Sequence, residues 1–193
     1  MSTFHCSKTG KSIGSTPEHL AVQGTRIYMA ANDETTGREL HVYDTTNNST
    51  WLAADVRTGN GASMPSEMAV LGSRVYFQAT SGSFFEMWVY DSCNNSFWEI
   101  NNFQSTSGSG GPNGFTVRGN TVFFAGDDGT TGEELWAHNS INETLWQVID
   151  LDPSGGRIGD IYLHEGNIYF AGEGNQNDSE VWRLIFSRTV TFV

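Results

Sequence analysis

One short pattern, glutamate followed by an apolar residue and an aromatic ring, occurs four times along this chain at nearly constant spacing. The copies are Glu39-Leu40-His41, Glu86-Met87-Trp88, Glu134-Leu135-Trp136 and Glu180-Val181-Trp182, and successive glutamates stand 47, 48 and 46 residues apart. A period of that length accommodates four short strands and belongs to propeller blades rather than to helical solenoids or leucine-rich arcs.

Other marks keep the same register. Gly24, Gly72, Gly119 and Gly166 each lead into an aromatic-rich run: Ile27-Tyr28-Met29, Val75-Tyr76-Phe77, Val122-Phe123-Phe124 and Ile168-Tyr169-Phe170. Pro17, Pro65 and Pro112 precede the first three glycines by seven residues, and Gly159 takes that place in the fourth copy. Twelve residues beyond each glutamate stand Trp51, Trp98, Trp146 and finally Phe192. The marks divide the chain into repeats at 17–64, 65–111, 112–158 and 159–193, with an amino-terminal strand at 2–7. Together these form a single domain.

No window shows sustained helical spacing of apolar residues, whereas short β-branched and aromatic runs alternate with Gly, Asn, Ser and Thr clusters. In the second copy this predicts strands from Glu67 to Leu71, Arg74 to Ala79, Glu86 to Asp91 and Ser96 to Asn101. Such a sheet is apolar on both faces, with Met87 and Val89 on one side and Trp88 and Tyr90 on the other, so it needs a neighbour on each. The expected fold is therefore all-β, a propeller of four four-stranded antiparallel blades closed by a terminal strand in the Velcro manner. Two segments compete for that closing strand. Thr3-Phe4-His5 aligns with Thr50-Trp51-Leu52, while Val190-Thr191-Phe192-Val193 begins the same outer strand at the other end. A closed monomer is the simpler expectation; a dimer that shares the surplus strand is the alternative.

The balance of 10 basic against 22 acidic residues, net −12, excludes nucleic acid and disfavours an anionic membrane surface. No stretch approaches the roughly 18 apolar residues that span a bilayer, so no membrane insertion is expected, and Met1 to Gly14 lacks the apolar segment of a signal peptide. Cys6 and Cys93 occupy non-equivalent repeat positions and read as free thiols.

The steps Thr36-Gly37-Arg38-Glu39-Leu40 and Thr131-Gly132-Glu133-Glu134-Leu135-Trp136, with Asp44, Asp91 and Asn139 five residues after the glutamate, resemble the ELWxxDGT-type (hyalin-like) repeats. That resemblance covers essentially the whole chain. It implies propeller blades of a secreted or surface protein from marine or other microbes, hence an extracellular or cell-surface location, and it implies no common enzymatic role. His41 in place of Trp, and the missing Asp in the fourth copy, depart from the pattern.

In antiparallel blades the loops between second and third strands and the interblade loops emerge at one end. That end gathers Asp33, Glu34, Asp127, Asp128 and Asp178, hard oxygen atoms suited to Ca²⁺ or to sugar hydroxyls, although Asp and Asn also simply make turns. No other cofactor and no other metal site is implied. The repeated Glu39, Glu86, Glu134 and Glu180 read as structural acceptors for buried backbone N–H groups rather than as catalytic carboxylates, because a residue present in every blade serves a need that every blade has. Trp51, Trp98 and Trp146 on the outer strands are the candidates for stacking on a sugar. The five histidines form no metal or catalytic motif and no serine sits in a nucleophile elbow, so no residue is assigned to catalysis. The reading is a non-enzymatic binding or adhesion module for a saccharide or a protein. The alternatives are a carbohydrate-active hydrolase using Asp33, Asp128 and Asp160, and a structural segment of a longer array.

Overall fold

A computed structural model describes residues 15–100, 111–130, 132–153, 155–174 and 178–186. Every regular element among them is a strand. The first blade comprises β1 (Glu18–Gln23), β2 (Arg26–Asn32), β3 (Arg38–Asp44) and β4 (Ser49–Ala54). The second comprises β5 (Ser66–Leu71), β6 (Arg74–Ala79), β7 (Glu86–Asp91) and β8 (Ser96–Glu99), and the third β9 (Asn113–Arg118), β10 (Thr121–Asp127), β11 (Glu133–Asn139) and β12 (Leu145–Ile149). The fourth has three described strands, β13 (Ile158–His164), β14 (Asn167–Glu173) and β15 (Ser179–Leu184). Each sheet is an antiparallel meander in chain order.

Turn chemistry explains the repeated small residues. Gly72 takes φ +62° in the two-residue β5–β6 turn, where a Cβ would be strained, and Asn95 takes φ +57° in the β7–β8 hairpin, as asparagine tolerates. Asn94, one position earlier, accepts from the Ser96 backbone N–H and its hydroxyl, so the Asn-Asn-Ser sequence is a turn device.

The sheets stack through three apolar clusters that use alternate residues of each strand. Tyr28, Leu40 and Val42 of the first blade meet Val75, Phe77 and Tyr90 of the second. Tyr76, Met87 and Val89 then leave the second blade's other face to meet Val122 and Phe124. Phe123, Leu135 and Ala137 in turn meet Ile161, Ile168 and Phe170 of the fourth. Full burial of each large side chain stabilises the stack by about 1.5–3 kcal/mol. The ring, however, does not close among the described residues. The innermost strands β1, β5, β9 and β13 lie side by side in that order, but β13 and β1 are not packed together in this way. Both segments expected to supply a closing strand, 2–7 and 190–193, lie outside the described residues.

Two of the repeated glutamates, Glu39 and Glu134, clasp their blade to the linker that follows. Glu39 is buried and accepts from the N–H of Val56 at 2.9 Å, from the N–H of Ser63 at 2.8 Å, and from the Ser63 hydroxyl. Glu134 accepts from the Leu151 N–H at 3.1 Å, 17 residues on, the same separation as Glu39 to Val56. A linker has no neighbouring strand to take its N–H groups, and the carboxylate supplies the missing acceptor. Glu180, with no such linker among the described residues, is exposed. Replacing Glu39 by Ala takes the acceptor from the Val56 N–H and the Ser63 hydroxyl, while the Ser63 N–H keeps the Arg38 carbonyl at 3.1 Å, and is expected to cost about 3 kcal/mol, lowering Tm by roughly 6–10 °C, while Glu180→Ala stays within about 0.5 kcal/mol. Thermal melts of the two variants check this contrast.

Candidate functional site

Of the acids expected at the loop-rich end, Asp33, Asp127 and Asp128 each commit one carboxylate oxygen to their own loop. Asp33 Oδ1 accepts from the N–H and hydroxyl of Thr35 and of Thr36, and the Thr36 N–H above all holds its carboxyl well below the usual carboxylate range. Asp127 accepts from the Gly129 N–H, and Asp128 from the N–H and hydroxyl of Thr130. Glu34 takes φ +69° with its N–H on the Asn32 side-chain oxygen, and Asp178 is exposed beside β15. Among the described residues no three His, Cys, Asp or Glu side chains come together as a cation site. Asp160, named with Asp33 and Asp128 for hydrolysis, stands on β13 and lines a groove of about 230 Å³ with Glu67, Thr116 and Tyr162 along the inner strands. These three acids sit on three different blades.

The ring at the third position of each cassette fills the space between blades: Trp88, Trp136 and Trp182 pack against the three clusters. The outer-strand rings behave differently. The Arg26 guanidinium lies 5.6 Å from the Trp51 ring centre and Arg74 lies 5.2 Å from that of Trp98, whereas Thr121 occupies the matching place in the third blade and Trp146 is exposed.

One junction breaks the repeat with ionisable groups. In the first two blades a tyrosine on the third strand donates its hydroxyl to a hairpin asparagine: Tyr43 to Asn48 at 2.6 Å and Tyr90 to Asn95 at 2.7 Å. At the same two positions the third blade carries His138 and Glu143, with His138 Nε2 3.4 Å from the Glu143 carboxylate. Glu143 keeps the left-handed backbone of the asparagines, at φ +57°. Arg74 reaches across from the second blade to Glu143 at 2.7 Å and to the Ser140 carbonyl at 3.1 Å, and stands 3.7 Å from Asp91. The Tyr76 ring packs on the imidazole with centres 5.7 Å apart, and the buried His138 Nδ1 has no hydrogen-bond partner among the described residues. Sequence reasoning set the histidines aside as unpatterned. The available signal was that two repeat positions, five residues apart, change together.

His138 and Glu143 line a cavity of about 550 Å³ with Trp98, Glu99, Ile100, Thr144 and Leu145. It opens between the outer strand of the second blade and the β11–β12 hairpin of the third, at the end opposite the loop-rich face. The cleft thus brings one of the expected tryptophans together with carboxylates that the sequence did not single out. It offers an indole, two carboxylates, a hydroxyl and an imidazole, and no paired nucleophile and base.

The four sheets superpose on solved structures of low sequence identity. TolB from Acinetobacter baumannii matches with TM-score 0.59 at 12% identity, covering 88% of this chain and 41% of that one. The fold is a β-propeller arc. The extracellular domain of a one component system from B. thetaiotaomicron matches at TM-score 0.57, 13% identity and 94% and 24% coverage, and a chain of the nidogen/laminin complex at 0.53, 10%, 87% and 60%. The arc therefore spans less than two thirds of each of these three chains. No family model matches the sequence, and no curated protein is similar to it.

Two buried groups set opposite pH slopes. Burial, with Asp150 and Asp152 nearby, pushes Glu134 up to about 7 from 4.5, against the Leu151 N–H that pulls it down. Its contribution to stability is present below pH 4.5 and lost as pH rises through about 7. Burial holds His138 below 6.5, with Arg74 acting in the same direction and Glu143 against it, so its contribution is present above pH 6.5 and lost as pH falls. In melts between pH 4.5 and 8, Glu134→Gln is expected to remove the decline on the alkaline side. His138→Tyr with Glu143→Asn, which restores the pair used by the other blades, is expected to remove the decline on the acid side. Profiles unchanged by either variant contradict the assignments.

Proposed function

We propose that the chain is a non-enzymatic binding module of a secreted or cell-surface protein and that it takes a saccharide into the cleft between its second and third blades. The observation that carries this reading is the cavity of about 550 Å³ in which the Trp98 indole stands beside Glu99, Glu143 and Thr144. A pyranose has apolar C–H faces that stack on an indole and hydroxyls that donate to carboxylates, so one ring and several acceptors around one concavity match its chemistry. Arg74 rests on the Trp98 ring and bonds Glu143, which fixes both groups before a ligand arrives. The likeness of the cassettes to ELWxxDGT-type repeats, and of the arc to an extracellular domain, supports the outward location. Net charge −12 favours neutral or cationic sugars over sulfated or uronic ones.

The test is a glycan array followed by calorimetry with His138→Tyr/Glu143→Asn and Glu99→Ala. The double variant returns the junction to the Tyr–Asn pair that the other blades use, so it is expected to keep its fold while losing at least roughly tenfold in affinity, the worth of one charged hydrogen bond. Silence of the wild type across the array, or full binding by both variants, contradicts the proposal, and capture of a protein ligand that both variants retain places the function elsewhere on the arc.

A further inference from the structure

The four cassettes allow each side chain to be compared with its counterparts, and two faces fail that comparison. Leu40, Met87 and Leu135, the residue after the glutamate in blades one to three, are each 0% exposed, because each points at the next blade; Val181, at the same position in the fourth, is 82% exposed. Ala21 and Ala69 face the same way from the inner strands at 8% and 9% exposure, where the fourth blade presents Tyr162 at 64%. Ile185 extends this exposed face at the end of β15, and the exposed Arg183 stands between it and Val181, where the other blades bury Val42, Val89 and Ala137.

At the other end of the arc, Met68 and Val70 of β5 pack on the first blade's cluster, and Phe115 and Val117 of β9 on the second's. Their counterparts on β1, Leu20 and Val22, are 64% exposed. The arc thus carries a bare trailing face on its fourth blade and a bare leading face on its first. The repeat makes them complementary: every internal junction joins one trailing face to one leading face. Among the described residues they do not meet, since β13 and β1 are not packed side by side as the neighbouring inner strands are.

We infer that these two faces are an interaction surface for a second copy of the same chain. The trailing face of each copy packs on the leading face of the other, and a two-fold axis closes eight blades into one ring. A contact between unlike faces either closes or propagates, and two arcs meeting at both ends is the arrangement that leaves no apolar face in water. The arc matches 41% of the TolB chain over 88% of its own length, so it superposes on part of a longer chain. The inference does not depend on the saccharide reading, because the cleft lies inside one copy.

Light scattering coupled to size exclusion over a range of concentrations tests it. The wild type is expected at twice the chain mass of 21.2 kDa. Val181→Asp and Leu20→Asp, each placing a charge on one face, are expected to halve the mass with the circular dichroism spectrum unchanged, since neither side chain is buried in the arc. Mixing the two variants is expected to restore a two-chain species through the one junction that remains apolar on both sides. Ile141→Asp, on an exposed hairpin away from both faces, is expected to leave the mass unchanged. A wild type of single-chain mass at every concentration overturns the inference, as do face variants that keep the wild-type mass or growth to open-ended polymers.

Discussion

A four-stranded sheet with apolar side chains on both faces must lie between two neighbours, and the rest of this structure follows from that requirement. The alternation of Tyr76, Met87 and Val89 with Val75, Phe77 and Tyr90 sends half of one blade's core forward and half back, so no blade owns a hydrophobic centre. Stability resides at the junctions, as in other repeat architectures where neighbours provide the burial that one unit cannot. The glutamate clasp serves the same requirement at the backbone level. The linker from one blade to the next runs outside any sheet, and Glu39 accepts the N–H groups that a strand neighbour would otherwise take.

The requirement also explains why repetition is a poor guide to chemistry. Residues present in every copy are occupied with junctions, as the cassette tryptophans and the buried glutamates are. Ionisable groups become available where a copy departs from the others. His138 and Glu143 replace a neutral tyrosine–asparagine pair, keep its geometry down to the left-handed backbone at the hairpin, and draw Arg74 onto the same carboxylate. The Arg74–Glu143 ion pair then stands beside the buried His138, where the preceding junction pairs Tyr90 with Asn95 and Arg26 reaches only the Ser92 carbonyl. Ser63, which completes the clasp of Glu39, is likewise replaced at its repeat position by Ile158, and the Glu134 carboxyl, short of one donor, titrates near neutrality instead.

Much of this was legible in the chain by itself. The four-stranded blade, its turn glycines, the acceptor role of Glu39 and Glu134 and the wedge role of the cassette tryptophans follow from a period and a residue type, because backbone geometry and the need to pair buried polar groups are local demands. In the second blade the strands appear where the pattern put them, with β8 ending at Glu99 rather than Asn101. What only the tertiary structure decided is which polar groups are committed and which faces are covered. Asp33 and Asp128 look in the sequence like groups free to bind, yet the Oδ1 of each is taken by its own threonines, while Glu143 looks like a hairpin residue and lines the cleft. Val181 repeats Leu135 in the sequence, but no blade covers it among the described residues and it stands exposed. Burial and hydrogen-bond occupancy are sums over neighbours brought together from distant positions, and a periodic sequence states the same residue in each copy without stating what stands opposite it.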